Sequence, residues 1–400
     1  MWLRIPVLGL VMFLFWNCVP GQEYGVWVAT AHRIDFPKTD GRTHQQAELR
    51  ELVRIAAERH ITTIYFQVRA RGDAFFESTL EPWSPHLRGP AGEEPGWDPL
   101  AELIREAQRH GMKVSAWFNT FLVADRSTRL NGTAQERHPL RRHPEWRLAA
   151  GPEIFLDPGI PAVREYLAAV AADLARKYPL DGFQLDFLRY PTRSFDDSAT
   201  MVRYKPDHLP AADWRRQNIT AALTAIRQSV KAVRPRTRFG VTSLGICKRT
   251  ARSRGLESYH EVFQDGCGWL EQGLLDEIAP QIYWTIGTDP EGPDQPPSPD
   301  FTDLLQTWRR LNADVRFLPG IGLYKPQIFR EAAFQVAAAL SAGADGVIFY
   351  SWTHFLDLPF PLLTPLPAHP PRSWHPLTPP AADEMDRSDR VPDQATTGSL

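Results

Sequence analysis

The chain has 400 residues, of which 43% are hydrophobic and 23% are charged, and its formal net charge is -2. This length allows one large domain or two average ones, and the composition is that of a globular protein. The near-neutral charge provides no basic face for a phosphate backbone, so nucleic acid is not expected as a partner.

The first predicted element is an export signal. Arg4 is followed by an apolar run over residues 5–16, which is too short and too close to the terminus for a stable membrane span. Small residues before Gln22 allow cleavage there, so residues 1–21 are predicted to be a signal peptide. Lipidation of Cys18 is the alternative. We therefore expect an exported protein, periplasmic or associated with the cell envelope, with membrane attachment through the N-terminus left open.

Eight β-rich runs follow, and segments with helical periodicity separate most of them. Residues Leu49, Leu52, Val53 and Ala56 show the helical pattern, which places one apolar stripe against a sheet. Eight alternating units predict a parallel sheet closed into a (β/α)8 TIM barrel, here spanning residues 22–363. The predicted strands cover residues 24–30, 63–70, 113–120, 182–190, 238–244, 277–284, 316–324 and 346–352.

The end of the chain departs from this alternation. Prolines at positions 359 and 361 interrupt any helix after the eighth strand, so the last helix is predicted to be short or missing. Residues 364–400 are rich in proline and then polar, which predicts a disordered tail. Residues 289–299 are also proline-rich and are expected to form a surface loop.

Two cysteines, Cys247 and Cys267, remain after removal of the signal. In an oxidising compartment they would close a loop of roughly twenty residues, worth about 3 kcal/mol. Two unpaired buried thiols are the alternative. Their spacing fits neither a zinc site nor a redox CxxC motif.

Asp186 is the predicted catalytic carboxylate. In a (β/α)8 barrel the functional groups lie at the carboxyl ends of the strands and in the loops that follow. Gln184 and Asp186 share one face of the fourth strand, and burying them beneath helices would be costly, so this face should line the barrel. The alternative is that Asp186 only pairs with Arg69 or Arg189 to hold the rim together.

A second carboxylate has less specific candidates. Asp73 follows the second strand and is the preferred partner of Asp186, although an Asp after Gly is often a turn residue. Asp35, which follows the first strand, is ambiguous in the same way. Asp157 is expected to cap the helix that follows it.

Aromatic and polar side chains at the same end of the barrel would suit a sugar. Indole and phenol rings stack on the C–H faces of sugars, while amides and guanidinium groups bond to hydroxyls. The alternative is that some of these aromatic residues are core residues beneath the helices. The predicted substrate-binding residues are Asp35, Gln67, Arg69, Trp117, Asn119, Gln184, Arg189, Tyr190, Gln281, Tyr283, Trp284 and Trp352.

Other chemistries lack their motifs. No glycine-rich phosphate loop follows a strand, and HExxH and GxSxG are absent. His138 and His143 lie in a loop without a nearby set of acidic ligands. No metal or cofactor is therefore predicted.

Ordered sequence blocks across residues 24–355 resemble the glycosyl-hydrolase-like 10 family, also known as the family of unknown function 187. They include GVWVAT at 25–30, FQVR at 66–69, AWFN at 116–119, HPEW at 143–146, LDPG at 156–159 and APQIYW at 279–284. The resemblance implies a barrel glycosidase, exported and often membrane-anchored in bacteria, acting on cell-wall glycan. The family commonly has two adjacent acids at the end of the fourth strand, whereas here Phe187 follows Asp186.

The fourth strand also partly resembles the DGxDxDxE motif of chitinase-like barrels. Asp181, Gly182 and Asp186 match it, but Gln184 replaces one acid and Leu188 stands in place of the proton-donating Glu. That mechanism therefore does not carry over whole.

We predict an exported glycoside hydrolase that cleaves O-glycosidic bonds in N-acetylated bacterial cell-wall glycan such as peptidoglycan strands. Asp186 would act as nucleophile or general acid, with Asp73 as its partner. One alternative is a non-catalytic carbohydrate-binding barrel that has lost one acid. Another is a metal-dependent deacetylase or hydrolase. A poly- or oligosaccharide is the expected partner.

Overall fold

The computed structural model describes residues 21–359 except 90–91, 127, 129, 131–135, 250–254, 288–297 and 312–313. The predicted signal peptide, apart from its last residue, Cys18 and the predicted tail lie outside the described residues, as does most of the 289–299 loop. Within the described part of the chain, no helix combines the length and the apolar character needed to span a bilayer.

The described part of the chain forms twelve strands: β1 Glu23–Val28, β2 Thr63–Arg69, β3 Lys113–Asn119, β4 Leu122–Asp125, β5 Arg147–Ala150, β6 Glu153–Leu156, β7 Gly182–Asp186, β8 Arg238–Leu244, β9 Glu277–Gln281, β10 Arg316–Phe317, β11 Gly320–Gly322 and β12 Gly346–Tyr350. Nine of them form a parallel sheet that closes on itself. The ring follows the chain through β1, β2, β3, β7, β8 and β9, and β12 closes it by pairing with β1. Strands β10 and β11 both pair with β9 and share the seventh position, so the ring has the eight positions of a (β/α)8 barrel.

Helices surround the barrel and bury the apolar stripes that the sequence predicts. On α1 (Arg42–Glu58), Leu49, Leu52, Val53 and Ala56 are all buried. The helix after the eighth barrel position, α11 (Trp352–Leu356), has five residues, which confirms the prediction of a short last helix. The helices are α1 Arg42–Glu58, α2 Pro99–Arg109, α3 Pro139–Arg142, α4 Pro161–Lys177, α5 Ser198–Tyr204, α6 Ala211–Val233, α7 Ser258–Glu261, α8 Gly266–Glu271, α9 Phe301–Arg310, α10 Pro326–Ser341 and α11 Trp352–Leu356.

Local signals set the ends of α2. Asp98 caps its start by accepting a 3.0 Å hydrogen bond from the Ala101 N–H, and Pro99 occupies the first turn. Gly111 follows the helix with a φ of 69°, a conformation that glycine adopts at little cost. The chain therefore passes from α2 through a short turn into β3.

An antiparallel sheet interrupts the third repeat, and the sequence analysis did not predict it. Its strand order is β4-β6-β5, and it lies between β3 and α4 in the chain. A turn at Gly151 and Pro152 joins β5 to β6. We call this three-stranded sheet the insert sheet. It follows the carboxyl end of β3, so it stands at the end of the barrel where a barrel site forms.

A disulfide joins Cys247 and Cys267, whose Cα atoms are 6.3 Å apart. The structure therefore resolves the two alternatives for these cysteines in favour of a bond. The disulfide links the loop after β8 to α8.

Candidate active site

The barrel interior holds its own apolar cluster, separate from the core beneath the helices. Asp186 ends β7 at the carboxyl side of the barrel, whereas Glu23 and Glu277 begin β1 and β9 at the amino side. The interior cluster consists of Trp27, Ala29, Tyr65, Trp117, Ala279, Leu318 and Ile348.

Asp186 faces this interior and accepts hydrogen bonds on both carboxylate oxygens. Trp117 Nε1 donates to Oδ2 over 3.0 Å. Thr242 Oγ1 donates to Oδ1 over 2.7 Å, and the backbone N–H of Phe187 donates to Oδ1 over 2.6 Å. Both oxygens receive N–H donors, an arrangement that suits a nucleophile or base better than a proton donor.

Phe187 adopts a left-handed backbone conformation, with a φ of 49°. This turn aims its N–H at the Asp186 carboxylate. A bulky residue in this region is uncommon and such conformations cluster at functional sites. In the family that the sequence resembles, this position commonly carries a second acid. In this chain Phe187 supplies a backbone N–H donor there instead.

Five aromatic rings form a connected layer beside Asp186, which we call the aromatic floor. Tyr350 is at its centre, with ring centroids 6.3 Å from both Trp27 and Trp117 and 5.9 Å from both Tyr283 and Tyr324. Tyr324 is 44% exposed, so the layer continues from the buried interior to solvent. Tyr283 stacks on Tyr350, whereas Trp27, Trp117 and Tyr324 meet Tyr350 edge to face. The exposed ring of Tyr324 can therefore contact the C–H face of a sugar.

The tyrosines of the floor stay protonated at neutral pH. Burial and the charges of Asp35 and Asp186 raise the pKa of Tyr350 to about 12. Burial, together with the Tyr350 and Asp186 charges, raises the pKa of Tyr283 well above its usual value, and burial also raises that of Tyr324. Their hydroxyls can therefore donate hydrogen bonds to a ligand.

Gln184 supports the floor from below. Its Oε1 accepts a 2.7 Å hydrogen bond from Trp27 Nε1, and its Nε2 donates over 3.2 Å to Glu277 Oε1. The side chain is fully buried. Gln184 therefore orients Trp27 and is a positioning residue, whereas the sequence predicted that it binds substrate.

Asp35 connects the first and last loops of the barrel. Its Oδ2 accepts from the Ala29 N–H over 2.8 Å, and its Oδ1 accepts from Ser351 Oγ over 2.9 Å and the Thr353 N–H over 2.8 Å. The residue is 2% exposed. These bonds hold the chain directly after Tyr350, so Asp35 positions the floor.

Gln67 and Asn119 also bond to the protein itself. Gln67 Oε1 accepts from the N–H groups of Thr30 and Ala31, both over 2.9 Å. Its Nε2 donates to Asn119 Oδ1 over 3.3 Å, and Asn119 Nδ2 donates to the Ala70 carbonyl over 3.0 Å. Both side chains fix the loops after β1 and β2.

The prediction that Arg69 binds a sugar at the mouth is wrong. The pairing of β2 with β3 shifts register between Gln67 and Arg69. Such an irregularity breaks the alternation of faces. Arg69 is fully buried, its Nη2 lies 2.7 Å from Glu81 Oε1, and its guanidinium lies over the ring of Phe118.

Tyr190 and Trp352 are also core residues rather than ligand contacts. The Tyr190 ring is fully buried and packs on Phe195 and Phe263 at centroid distances of 5.3 and 5.5 Å. Trp352 begins α11 instead of ending β12, and it stacks on Phe355 in the outer core. Both predictions extended a strand beyond its true end.

Asp73 sits in the loop after β2 and bonds within that loop. Its Oδ1 accepts from the Arg71 N–H over 2.8 Å. Burial lowers the pKa values of His86 and His138, and the charge of Asp73 opposes this lowering. None of the hydrogen bonds between described residues joins Asp73 to Asp186.

Arg189 follows Asp186 by three residues and is half-buried. Its guanidinium lies 4.7 Å from the Phe187 ring centroid, and its Nη1 donates a long 3.4 Å bond to the Tyr190 carbonyl. Burial lowers its pKa, while the charges of Asp186 and Glu153 act in the opposite direction. Arg189 therefore lies in the field of two carboxylates.

Gln281 and Trp284 lie at the rim and are partly exposed. Gln281 ends β9 two residues after the inward-facing Ala279, so alternation directs it into the mouth. Trp284 lies beside Gly245 in the loop after β8, with Lys325 Nζ 5.8 Å above its ring. Both remain candidates for ligand contact.

The insert sheet adds charged groups to the rim. Asp125 Oδ2 lies 3.0 Å from Arg71 Nε and 3.1 Å from His32 Nε2. Asp125 is paired across the sheet with Glu153. Among the residues that the structure describes, no group of three His, Cys, Asp or Glu side chains has the arrangement of a metal site.

The sequence analysis missed Thr242, Tyr324, Tyr350 and the insert sheet. Tyr324 and Tyr350 stood at the carboxyl ends of the last two predicted strands, so the barrel rule itself would have selected them. The Gly-Pro pair at 151–152 between two short runs was an available signal for a β-turn.

Comparison with known proteins gives one family. The family model described as "Glycosyl hydrolase-like 10" matches residues 23–325. The chain is 34% identical over 286 residues to the glycosyl hydrolase DigH of Escherichia coli O6:H1, a match that covers 65% of each chain. It is 32% identical over 276 residues to the glycosyl hydrolase YngK of Bacillus subtilis, covering 66% of this chain and 54% of that protein. The match thus spans less than two thirds of each relative.

A solved structure supports the same architecture. The glycoside hydrolase domain of PgaB (BpsB) from Bordetella bronchiseptica superposes with a TM-score of 0.54 at 14% identity, covering 85% of this chain and 96% of that domain. At this identity the likeness concerns the fold.

Proposed function

The chain belongs to the glycosyl hydrolase-like 10 family, and we propose that it cleaves O-glycosidic bonds with Asp186 as its nucleophile or general base. One observation carries the proposal. Asp186 presents a carboxylate, fixed by Trp117 and Thr242, at the mouth of the barrel directly beside the aromatic floor. A carboxylate beside a sugar-binding surface supplies one of the two acid/base groups that glycosidic cleavage uses.

The arrangement gives each group a task. The aromatic floor receives the apolar face of a sugar ring, and its tyrosine hydroxyls donate to ring oxygens and hydroxyls. The Trp117 and Thr242 donors keep the Asp186 carboxylate in one orientation. Such preorganisation lowers the cost of reaching an oxocarbenium-like transition state.

The substrate class we propose is N-acetylated cell-wall glycan such as peptidoglycan strands. The family resemblance supports this class, and the exposed end of the floor at Tyr324 suits a polymer that continues beyond the cleavage point. Export is part of the proposal. The disulfide between Cys247 and Cys267 supports it, because such bonds persist in oxidising compartments.

A carbohydrate-binding barrel without catalysis is the second candidate. The observation that favours it is Phe187, which occupies the position of a second acid in the resembling family. Both candidate functions would bind a sugar on the aromatic floor. Only the formation of cleavage products therefore distinguishes the hydrolase from the binding barrel.

The experiment incubates the protein with peptidoglycan strands freed of stem peptides and with chitooligosaccharides, followed by mass spectrometry. Shorter glycans with new reducing ends are expected. Binding of either glycan without new reducing ends would favour the non-catalytic carbohydrate-binding barrel over the hydrolase.

A further inference from the structure

The proposed hydrolysis needs a proton donor as well as Asp186. A leaving oxygen departs slowly unless an acid protonates it, and both Asp186 oxygens already accept N–H bonds. A second carboxyl group at the mouth would supply this proton. Among the described residues, we consider four carboxyls in the loops that follow the first three strands: Asp35, Asp73, Asp125 and Glu153.

The carboxyls of Asp35, Asp73 and Asp125 already bond to other groups of the protein. Asp35 accepts three hydrogen bonds and is 2% exposed. Asp73 holds the Arg71 N–H. Asp125 is ion-paired with Arg71 and His32. A carboxyl with such partners has little freedom to give a proton to a ligand.

Glu153 differs from these three. It is the first residue of β6, it is partly exposed, and within the described chain no hydrogen bond or ion pair engages its carboxyl. Its cross-strand partner is Asp125, so both side chains project from the same face of the insert sheet. Asp125 on that face meets Arg71 and His32, which belong to the first two loops of the mouth.

One ring contact links the strand of Glu153 to the residue that follows Asp186. Phe155 lies two residues along β6, on the same face as Glu153, and its ring centroid is 6.3 Å from that of Phe187. Phe187 directly follows Asp186. The face of the insert sheet that carries Glu153 therefore packs beside the end of β7.

We propose that Glu153 is the proton donor of the glycosidic cleavage. This assignment rests on the proposed function. The insert sheet then supplies the acid, and the fourth barrel strand supplies the nucleophile or base.

The step balances as follows. The bond between the anomeric carbon and the leaving oxygen breaks, its electron pair stays on that oxygen, and the oxygen takes the Glu153 proton. The anomeric carbon is captured by Asp186 or by a water that Asp186 deprotonates. In the first case a water then displaces Asp186 and returns its proton to Glu153, and in the second the solvent restores both groups. One water is consumed per bond either way.

The test compares two substrates with different needs for an acid. The first is the glycan that the wild type cleaves, and the second is the dinitrophenyl glycoside of the sugar unit that the wild type releases. Dinitrophenolate leaves without protonation. Glu153→Gln is expected to lose about 10²- to 10⁴-fold in kcat/KM on the glycan and to stay within severalfold of wild type in kcat/KM on the dinitrophenyl glycoside, because kcat/KM reports the step in which the leaving group departs.

Two further variants control the result. Glu145→Gln removes an exposed acid of the same insertion and should leave both rates unchanged. Glu153→Asp keeps the carboxyl but retracts it by one methylene, so it should impair glycan cleavage alone. Near-wild-type glycan cleavage by Glu153→Gln, or equal losses on both substrates at unchanged thermal stability, would overturn the assignment. A wild type that cleaves no glycan would instead refute the proposed function.

Discussion

Trp117 reaches diagonally across two neighbouring barrel strands to hold Asp186. Its Cα partner on β7 is Gln184, yet its indole N–H donates a 3.0 Å bond to Oδ2 of Asp186, two residues further along. Diagonal pairs on one face of a sheet are within reach of long aromatic side chains. One residue thereby both lines the aromatic floor and fixes the carboxylate.

The first prediction removes this bond while retaining an aromatic ring. A hydrogen bond to a charged group contributes about 1.5 to 3 kcal/mol, so Trp117→Phe should lower kcat/KM on the glycan by roughly 10- to 100-fold. Trp146→Phe, a buried tryptophan of the insertion, serves as the control. Steady-state kinetics at matched thermal stability measure the effect, and unchanged kcat/KM would show that the indole N–H does not orient Asp186.

The second prediction concerns Arg69, which the structure places in the core. Arg69→Met should leave Glu81 as an uncompensated buried charge, and breaking a buried pair costs about 3 to 5 kcal/mol. Denaturant unfolding measures this loss, and KM of the remaining folded protein should stay unchanged. Arg54→Met, at an exposed ion pair, should have a much smaller effect. A raised KM of Arg69→Met at wild-type stability would instead show that Arg69 contributes to sugar binding.

The third prediction concerns a buried pair of carboxyls at the amino end of the barrel. Burial and the charge of Glu23 raise the pKa of Glu277 from 4.5 to about 7, although Arg238 opposes them. Since the folded-state pKa exceeds the unfolded one, the folded protein holds the extra proton between these values. The contribution of Glu277 to stability is therefore greatest below pH 4.5 and is lost as the pH rises through 7.

Glu277→Gln should accordingly gain stability relative to wild type as the pH rises from about 5 to 8. Free energies of unfolding across this range provide the measurement, with the exposed Glu94→Gln as a variant that should follow wild type. A constant difference between Glu277→Gln and wild type over this range would contradict the raised pKa.

The fourth prediction concerns the disulfide. Cys247 and Cys267 are 20 residues apart, and closing a loop of this size stabilises a protein by about 3 kcal/mol. The double variant Cys247→Ser, Cys267→Ser should lose roughly that much, and dithiothreitol should lower the Tm of wild type but not that of the variant. Equal Tm values for wild type with and without reductant would show that the bond does not contribute.

Periodicity predicted the barrel because its signals are local and repeated. The apolar stripe of α1 and the cap at Asp98 each report on a few neighbouring residues. The short last helix followed from the prolines at positions 359 and 361. The family resemblance and this pattern therefore agreed on the fold.

The site was less predictable because it depends on contacts between distant segments. Alternation of side chains along the strand placed Asp186 on the inner face of the barrel. The register irregularity before Arg69 turned that side chain to the other face, and no local sequence pattern predicts this irregularity. Gln67 and Asn119 occupy the expected end of the barrel, yet their hydrogen bonds to Thr30, Ala31 and Ala70 depend on loop geometry. Sequence reasoning thus found polar positions more readily than it found their partners.

The most direct measurement of the central claim is the rate at which Asp186→Asn releases reducing ends from purified glycan strands. Asparagine keeps the shape of the side chain and removes the charge. The predicted result is a loss of about 10²- to 10⁴-fold relative to wild type at the same Tm, with glycan binding retained. Wild-type release of reducing ends by a folded Asp186→Asn protein would contradict the account.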